Sequence, residues 1–452
     1  LIMCRAKGSL VLLLGLGLAG CDIFPTDTTD AKLRALVADQ GVTAVVPAEE
    51  DAAQVALGQV LFFDKILSGN RNISCSTCHL PEAATGDALP VSIGEGGSGR
   101  ALERVAPTDS AGAEVLIPRN APDVFNRGTM QTMFWDGRVA LDGGAFVSPA
   151  GATLPAGLDD VLAVQAMFPV TSREEMRGQV DADDDNELGD IADDDFAAMW
   201  SALMDRLLAI AEYETLFAAA YPAVAPDALT FAHAANAIAA FEREHWTLDD
   251  APFDEYLRGD NTALDAAEKR GALLFFGGQA DGGADCARCH TGPMLTDEDF
   301  HNRVVPQLGP GKGDGPDGSW DFGRARETGA RDDRFRFRTP PLRNVATTGP
   351  WMHSGAFGTL EAAVRHCADP VASAEAYDGV SLAEPFAATY RAAHTADIIA
   401  AADPDDLTPV TLSDAEIADL VAFLEALTSP QVATLADVDV PDSVPSGLPL
   451  AD

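Results

Sequence analysis

The sequence predicts a mainly α-helical protein built as two similar domains, and three observations predict it. The five residues Cys75-Ser-Thr-Cys78-His79 return as Cys286-Ala-Arg-Cys289-His290. Each copy follows the same apolar run, Gly58-Gln-Val-Leu-Phe-Phe63 and Gly271-Ala-Leu-Leu-Phe-Phe276, whose last phenylalanine lies twelve and ten residues before the first cysteine. Helical runs then close each half, at Leu229–Trp246 and after Ser413. CxxCH is the attachment pattern of c-type haem: two thiols at that spacing form thioethers with the haem vinyl groups, and the histidine falls beneath the ring as an iron ligand. Two copies among seven cysteines displace a zinc or thiol-redox reading, so each domain is expected to surround one covalently bound haem.

Taken in order, the N-terminus reads as a targeting segment. Arg5 and Lys7 precede the apolar run Leu10–Leu18, which is too short to span a bilayer as a mature helix. The run ends Leu18-Ala19-Gly20-Cys21, similar to a bacterial lipobox. Residues 1–20 are then a lipoprotein signal peptide and Cys21 carries a lipid anchor; a plain secretory signal, giving a soluble periplasmic protein, is the alternative. Either places the chain on the periplasmic side of a bacterial membrane, where CxxCH receives its haem. Residues 21–50 read as a tether with one short helix near Ala31–Ala38, 51–258 as the first haem domain, 259–428 as the second, and the Pro-rich 429–452 as an extended tail. Ser413-Asp-Ala-Glu416 is a capping box, with Ile417, Leu420, Val421 and Leu424 following at helical spacing. Asp181–Asp195 holds nine acids, but Asn186 and Ala192 occupy the turn and bidentate positions of an EF-hand, so a solvated loop is expected. The net charge of −41 excludes nucleic acid and anionic lipid as partners and suits a basic redox protein.

Beyond CxxCH, the chain carries Leu57-Gly-Gln-Val-Leu-Phe-Phe-Asp64, Pro118-Arg-Asn-Ala-Pro122, Phe134-Trp-Asp-Gly-Arg138, Gln165-Ala166, Glu175-Met176, Phe241-Glu-Arg243, and Pro341-Leu-Arg-Asn-Val345 through His353. With these blocks it resembles the bacterial di-haem cytochrome c peroxidase family, which includes the MauG-like enzymes, from about Leu57 to Leu427. The resemblance implies two cytochrome c-like helical domains. The first haem is the peroxide site and the second collects electrons, because peroxide cleavage consumes two electrons. It implies that Trp135 relays electrons between the haems. It matches Gln165 and Glu175 to a distal acid–base pair over the first haem, with Glu174 as the register alternative. It further implies a calcium ion between the domains, held by the Asn120 side chain and the carbonyls of Thr348 and Pro350. The implied substrate is hydrogen peroxide, the donor a small cytochrome c or cupredoxin, and the assembly a homodimer.

Two departures from the family pattern bear on the chemistry. Many members carry a distal histidine sixteen residues after the first haem histidine; this chain has Glu95 there, a poor haem ligand, so an open first haem is expected. The second haem's sixth ligand is Met or Tyr in the family, and Cys367 holds that position, with His366 and Met352 as the other candidates. A thiolate would lower that haem's potential. His233, His245, His301 and His394 read as structural. The leading reading is a peroxidase reducing hydrogen peroxide to water. The alternatives are a MauG-like oxidase modifying a protein or organic substrate, and a non-catalytic di-haem electron carrier; a carrier has no use for Gln165 and Glu175.

Overall fold

The computed structural model describes residues 28–110, 112, 114–179 and 186–450, so the expected signal peptide, the Cys21 anchor and the acids at 181–185 lie outside the described residues. Eight helices position everything that follows: α1 (Thr28–Asp39), α2 (Ala52–Phe63), α3 (Val161–Ala166), α4 (Phe231–Trp246), α5 (Pro252–Arg258), α6 (Ala266–Phe276), α7 (Leu360–Ala368) and α8 (Asp414–Glu425). The chain is mostly helical, and its few strands are two to four residues long. No helix among the described residues is long and apolar enough to cross a membrane.

The repeat seen in the sequence is a repeat of one packing solution. In the first half α2 lies across α4, and in the second α6 lies across α8. The glycine opening each apolar run is the crossing point. A Cβ on Gly58 would sit 1.8 Å from the Ala237 carbonyl oxygen, and one on Gly271 would sit 1.8 Å from that of Asp419. Contact that close lets the paired phenylalanines reach the partner helix. Phe62 meets Phe241 and Trp246 at 5.6 and 4.9 Å between ring centroids, and Phe275 and Phe276 meet Phe423 at 5.2 and 5.6 Å. These aromatic clusters centre two separate hydrophobic cores, which apolar burial and edge-to-face ring contacts stabilise. The helix expected over Leu229–Trp246 forms as α4, and the capping box starts α8, with Ser413 accepting from the Glu416 amide and Glu416 from the Ser413 amide.

Three boundaries differ from the sequence expectation. Residues 28–50 are not a tether: α1 buries Leu33 and Val37 in the second core, Asp30 pairs with Lys269, and Arg34 lies over the Tyr256 ring. Residues 429–450 are not a free tail. They return to the first core, where Leu435 and Val444 are buried, Asp439 accepts from Trp246 Nε1 at 2.8 Å and contacts His245 Nδ1 at 2.7 Å, and Ser446 Oγ donates to Asp64. The first and second domains part before α5 rather than at Gly259, because Phe253 and Tyr256 belong to the second core. Each end of the described residues thus packs on the domain furthest from it in sequence. The described part of the acidic loop is also held, since Asn186 is buried against the Arg177 carbonyl and Asp193 pairs with Arg173 and Arg177.

Candidate functional site

Each CxxCH segment forms the wall of a cavity. The first, a void of about 1340 Å³ including solvent at its mouth, is bounded by Cys75, Cys78 and His79 beneath Phe62, Leu162 and Ile238. The second, about 1680 Å³ on the same measure, is bounded by Cys286, Cys289 and His290 with Phe275, Leu420 and Leu424. The four thiols are free of disulfides. His79 Nδ1 lies 3.0 Å from the Thr85 carbonyl and His290 Nδ1 3.0 Å from that of Leu295. A ring N–H given to a carbonyl fixes the tautomer and leaves Nε2 for a metal. Burial pushes both imidazoles below their ordinary value, which favours the neutral, ligating form.

Haem fits these cavities on more than its attachment residues. Arg338 is buried on the wall of both, held by the carbonyls of Phe134 and Thr339, with no carboxylate at ion-pair distance among the described residues. Burial draws its guanidinium down to about 9. A cation so placed suits the carboxylate-bearing edge of a haem. The apolar remainder of both walls suits the macrocycle.

The two cavities differ in what else they hold. Gln165, at the end of α3, and Glu175 face the first. Glu175 lies in a single π-helical turn, Arg173–Arg177, capped by Ser172 and pinned by Arg177, whose side chain donates to the carbonyls of Leu188 and Ile191. Such turns recur where a side chain must be aimed. Of the two adjacent acids it is Glu175 that meets the cavity; Glu174 is exposed, and its carbonyl accepts from the Glu95 amide at 3.0 Å. Burial pushes the Glu175 carboxyl above its ordinary value, against the opposing pull of Arg138, whose guanidinium is 3.9 Å away. Glu95 does not line the cavity: its carboxylate accepts from the side-chain amides of Asn70 and Asn72 at 2.7 and 2.9 Å.

Trp135 lines both cavities. It sits in the turn between strands Thr132–Met133 and Val139–Asp142, which pair antiparallel with Met133 opposite Val139. Gly137 makes the turn possible, with φ +68 and no room for a Cβ against the Phe300 ring. The indole is 9% exposed and its Nε1 donates to the Asn120 carbonyl at 3.0 Å. Asn120 in turn donates its amide N–H to the His353 carbonyl and its Nδ2 to the Leu89 carbonyl, each at 2.8 Å.

Around the second cavity, Cys367 and Met352 line the wall and His366 does not. His366 is fully buried on the other side of α7, with Nε2 2.9 Å from the Arg303 carbonyl and Nδ1 3.1 Å from Ser373 Oγ. One residue along a helix is a rotation of about 100°, and that rotation takes His366 out of contention as a haem ligand. Of the other histidines, His301 lies on the second cavity's wall between Asp297 and Asp406.

Several residues of these walls escape sequence reasoning. Arg119 bridges Asp136 at 2.6 Å and Asp321 at 2.7 Å, tying the first domain to the second. Arg119 and Asp136 lie inside conspicuous blocks, so proximity to Asn120 and Trp135 was a usable signal. Asp321 and Lys312 had none beyond the glycine-rich stretch Gly309–Gly318, which announces turns but not where they lead.

Comparison with known proteins agrees with this geometry. Residues 52–262 match the family model described as di-haem cytochrome c peroxidase. The chain is 29% identical over 377 residues to the methylamine utilization protein MauG of Methylorubrum extorquens, covering 83% of this chain and 78% of that one. It is 32% identical over 312 residues to the cytochrome c551 peroxidase of Pseudomonas aeruginosa, covering 69% and 70%. Its fold superposes on the crystal structure of a MauG-like protein associated with microbial copper homeostasis with a TM-score of 0.59 and 28% identity, over 88% of this chain and 96% of that one. With two haem-fitting CxxCH cavities and these relatives, the chain belongs to the di-haem cytochrome c peroxidase family, whose members include MauG, and is an oxidoreductase.

Proposed function

We propose that the chain is a peroxidase that reduces hydrogen peroxide to water in the first cavity, with electrons received at the second from a small cytochrome c or cupredoxin. The observation that carries this reading is an asymmetry: both cavities have CxxCH, but the glutamate and glutamine stand over the first alone, and Trp135 is a wall common to both. Bound haem would supply, through Cys75, Cys78 and His79, the iron that cleaves peroxide, and through Cys286, Cys289 and His290 a store for one electron. Glu175 would take a proton from one oxygen of peroxide and return it to the other, which leaves as water, while Gln165 would hold the substrate by hydrogen bonding. Two electrons and two protons enter for each pair of waters formed. Trp135 is the relay between cavities. Asn120, its Nδ2 committed to Leu89, keeps its side-chain oxygen for a cation, and together with the carbonyls of Thr348 and Pro350 it would hold a calcium ion, which hard oxygen donors suit. The CxxCH chemistry favours a periplasmic setting, the lipobox-like Leu18-Ala19-Gly20-Cys21 a lipid anchor at Cys21, and the net charge of −41 a basic donor protein.

Because Glu95 is tied to Asn70 and Asn72, it offers the first iron no ligand, and the oxidised protein should contain one high-spin haem that reacts with peroxide without prior reduction. EPR of the oxidised holoprotein and stopped-flow mixing with peroxide test this. Glu175→Gln should slow the peroxide reaction about a hundredfold or more with both haems retained. Two low-spin haems, or an unchanged rate in Glu175→Gln, would overturn the reading. Cys367 in place of methionine on the second cavity favours a second reading, a MauG-like oxidase; peroxide-dependent oxidation of an added protein, with no turnover of a reduced cytochrome c, would select it.

A further inference from the structure

Lys312 comes from the second domain and yet lines the first cavity, alongside Glu175 and Arg138. It is carried by a hairpin whose arms are fixed by the Lys312 amide donating to the Trp320 carbonyl at 2.8 Å and the Gly313 amide to that of Gly318 at 3.1 Å. Gly311 gives the hairpin its shape: its φ is +77 and a Cβ would lie 2.3 Å from the Ser319 carbonyl oxygen. Trp320 then stacks on His394 at 3.6 Å, and Arg326 clamps the Lys312 carbonyl at 2.7 Å. The backbone of Lys312 is therefore held on several sides. Its side chain is not: among the described residues the ammonium has no hydrogen-bond or ion-pair partner. A half-buried ammonium left without a partner on a cavity wall is costly unless the cavity's contents or a neighbouring carboxylate repay it.

The two carboxylates that act on it most are already paired with arginines, and Glu175 shares its cavity wall. Asp136 is engaged by Arg119 and Arg138, and Asp321 by Arg119. Glu175 has the distant Arg138 alone. We propose that Lys312 is a positioning residue for the peroxide chemistry of the first cavity, holding the Glu175 carboxylate ionised and ready to accept a proton whenever the second domain is docked. This rests on the reading of Glu175 as the distal base. The charged groups that act on Glu175 are Arg138, Lys312, Glu174 and Asp136; those that act on Lys312 are Arg119, Arg138, Asp136 and Asp321. Glu242, His79, Asp123, Arg127, Arg338 and the thiols Cys75 and Cys78 complete the titratable wall. Burial raises Glu175, and Arg138 and Lys312 pull it back; burial also brings Lys312 itself down to about 8. An acid whose neighbouring cation is removed binds its proton more tightly, so the loss of Lys312 should leave Glu175 protonated over a wider acidic range.

The test uses the holoprotein and two rates followed against pH: the reaction with hydrogen peroxide, and the binding of cyanide, which enters as the protonated acid and needs the same base without any turnover. In the wild type both rates should rise with pH through one acidic limb. Lys312→Met should move that limb upward by about one pH unit, slowing both reactions roughly tenfold below it and leaving the high-pH plateau and the haem content as they were. Lys312→Arg should restore the limb. Glu175→Gln separates the two ideas: if it retains the limb, Glu175 is not the base and the underlying reading falls. If Glu175→Gln abolishes the limb and Lys312→Met leaves it in place, the present inference falls and that reading stands. A changed first-haem potential with an unmoved limb would assign the ammonium to the haem carboxylates and overturn the inference equally. Should Lys312→Met lose its first haem, Lys312→Gln replaces it with the same expectations, and loss of haem there too would show a purely structural role.

Discussion

At the scale of single residues, the second cavity is decided by which side of α7 each neighbour occupies. Cys367 opens onto the cavity and His366 turns to the Arg303 carbonyl, so His366 is not the residue that would give the second haem a second histidine. Sequence position brought both to the right helix turn. The apolar spacing of Leu360, Ala363, Val364 and Cys367, all of which line the cavity, phases that turn and puts His366 off the face. The CxxCH residues were legible more directly: covalent chemistry demands a fixed spacing, and spacing is what a sequence records. Cys367→Met should raise the second haem's reduction potential by roughly a few tenths of a volt, within the ~0.8 V over which axial ligands act, since thioether favours ferrous iron and thiolate ferric. Spectroelectrochemical titration measures it. An unchanged potential and spectrum would exclude Cys367 and leave Met352, His301 and His353 as the candidates on that wall.

At the scale of elements, the two glycines of the internal repeat explain why the repeat survives as sequence. Gly58 and Gly271 each face a backbone carbonyl 1.8 Å from where a Cβ would stand, and neither partner is the yielding tip of a side chain. Alanine at either site should therefore force the helices apart and cost about 1–3 kcal/mol, lowering the thermal midpoint of the domain concerned. Gly278→Ala is the matched control, because nothing lies within 4 Å of its Cβ position, and its midpoint should be unchanged. If Gly271→Ala unfolds at the wild-type temperature, the close crossing of α6 and α8 is wrong. Elements of this kind were readable in advance: capping residues and apolar spacing are local, and they located α2, α4, α6 and α8. The π-helical turn that aims Glu175 was not, since its geometry depends on Arg177 reaching the carbonyls of Leu188 and Ile191, and the sequence around it reads as an ordinary acidic run.

For the whole molecule, the decisive contacts join residues hundreds of positions apart, and these left the weakest trace in the sequence. A tether and a tail were expected where α1 and residues 429–450 instead pack on opposite domains, because polar and Pro-rich composition reports the solvent face of a segment and not what lies beneath it. The Arg119–Asp136–Asp321 cluster is the same kind of contact at the centre of the molecule, and it makes the domain junction sensitive to acid. Burial works against ionising these aspartates, yet the arginines outweigh it: Asp321 is held down to about 2 and Asp136 lower still. A carboxyl whose value is depressed on folding stabilises the folded state above its unfolded value, near ~4, and that contribution is lost as pH falls toward the folded one. The junction should accordingly hold at neutral pH and loosen between about pH 4 and pH 2, with the environment of Trp135 changing before the two helical cores melt. Tryptophan fluorescence and far-ultraviolet circular dichroism, followed together on acidification, would separate the two events. Asp321→Asn removes one titrating partner while leaving Arg119 beside Asp136, so the variant should show a weaker junction at neutral pH and a shallower response to acid. An acid profile identical to the wild type in Asp321→Asn would mean that some other group controls the junction.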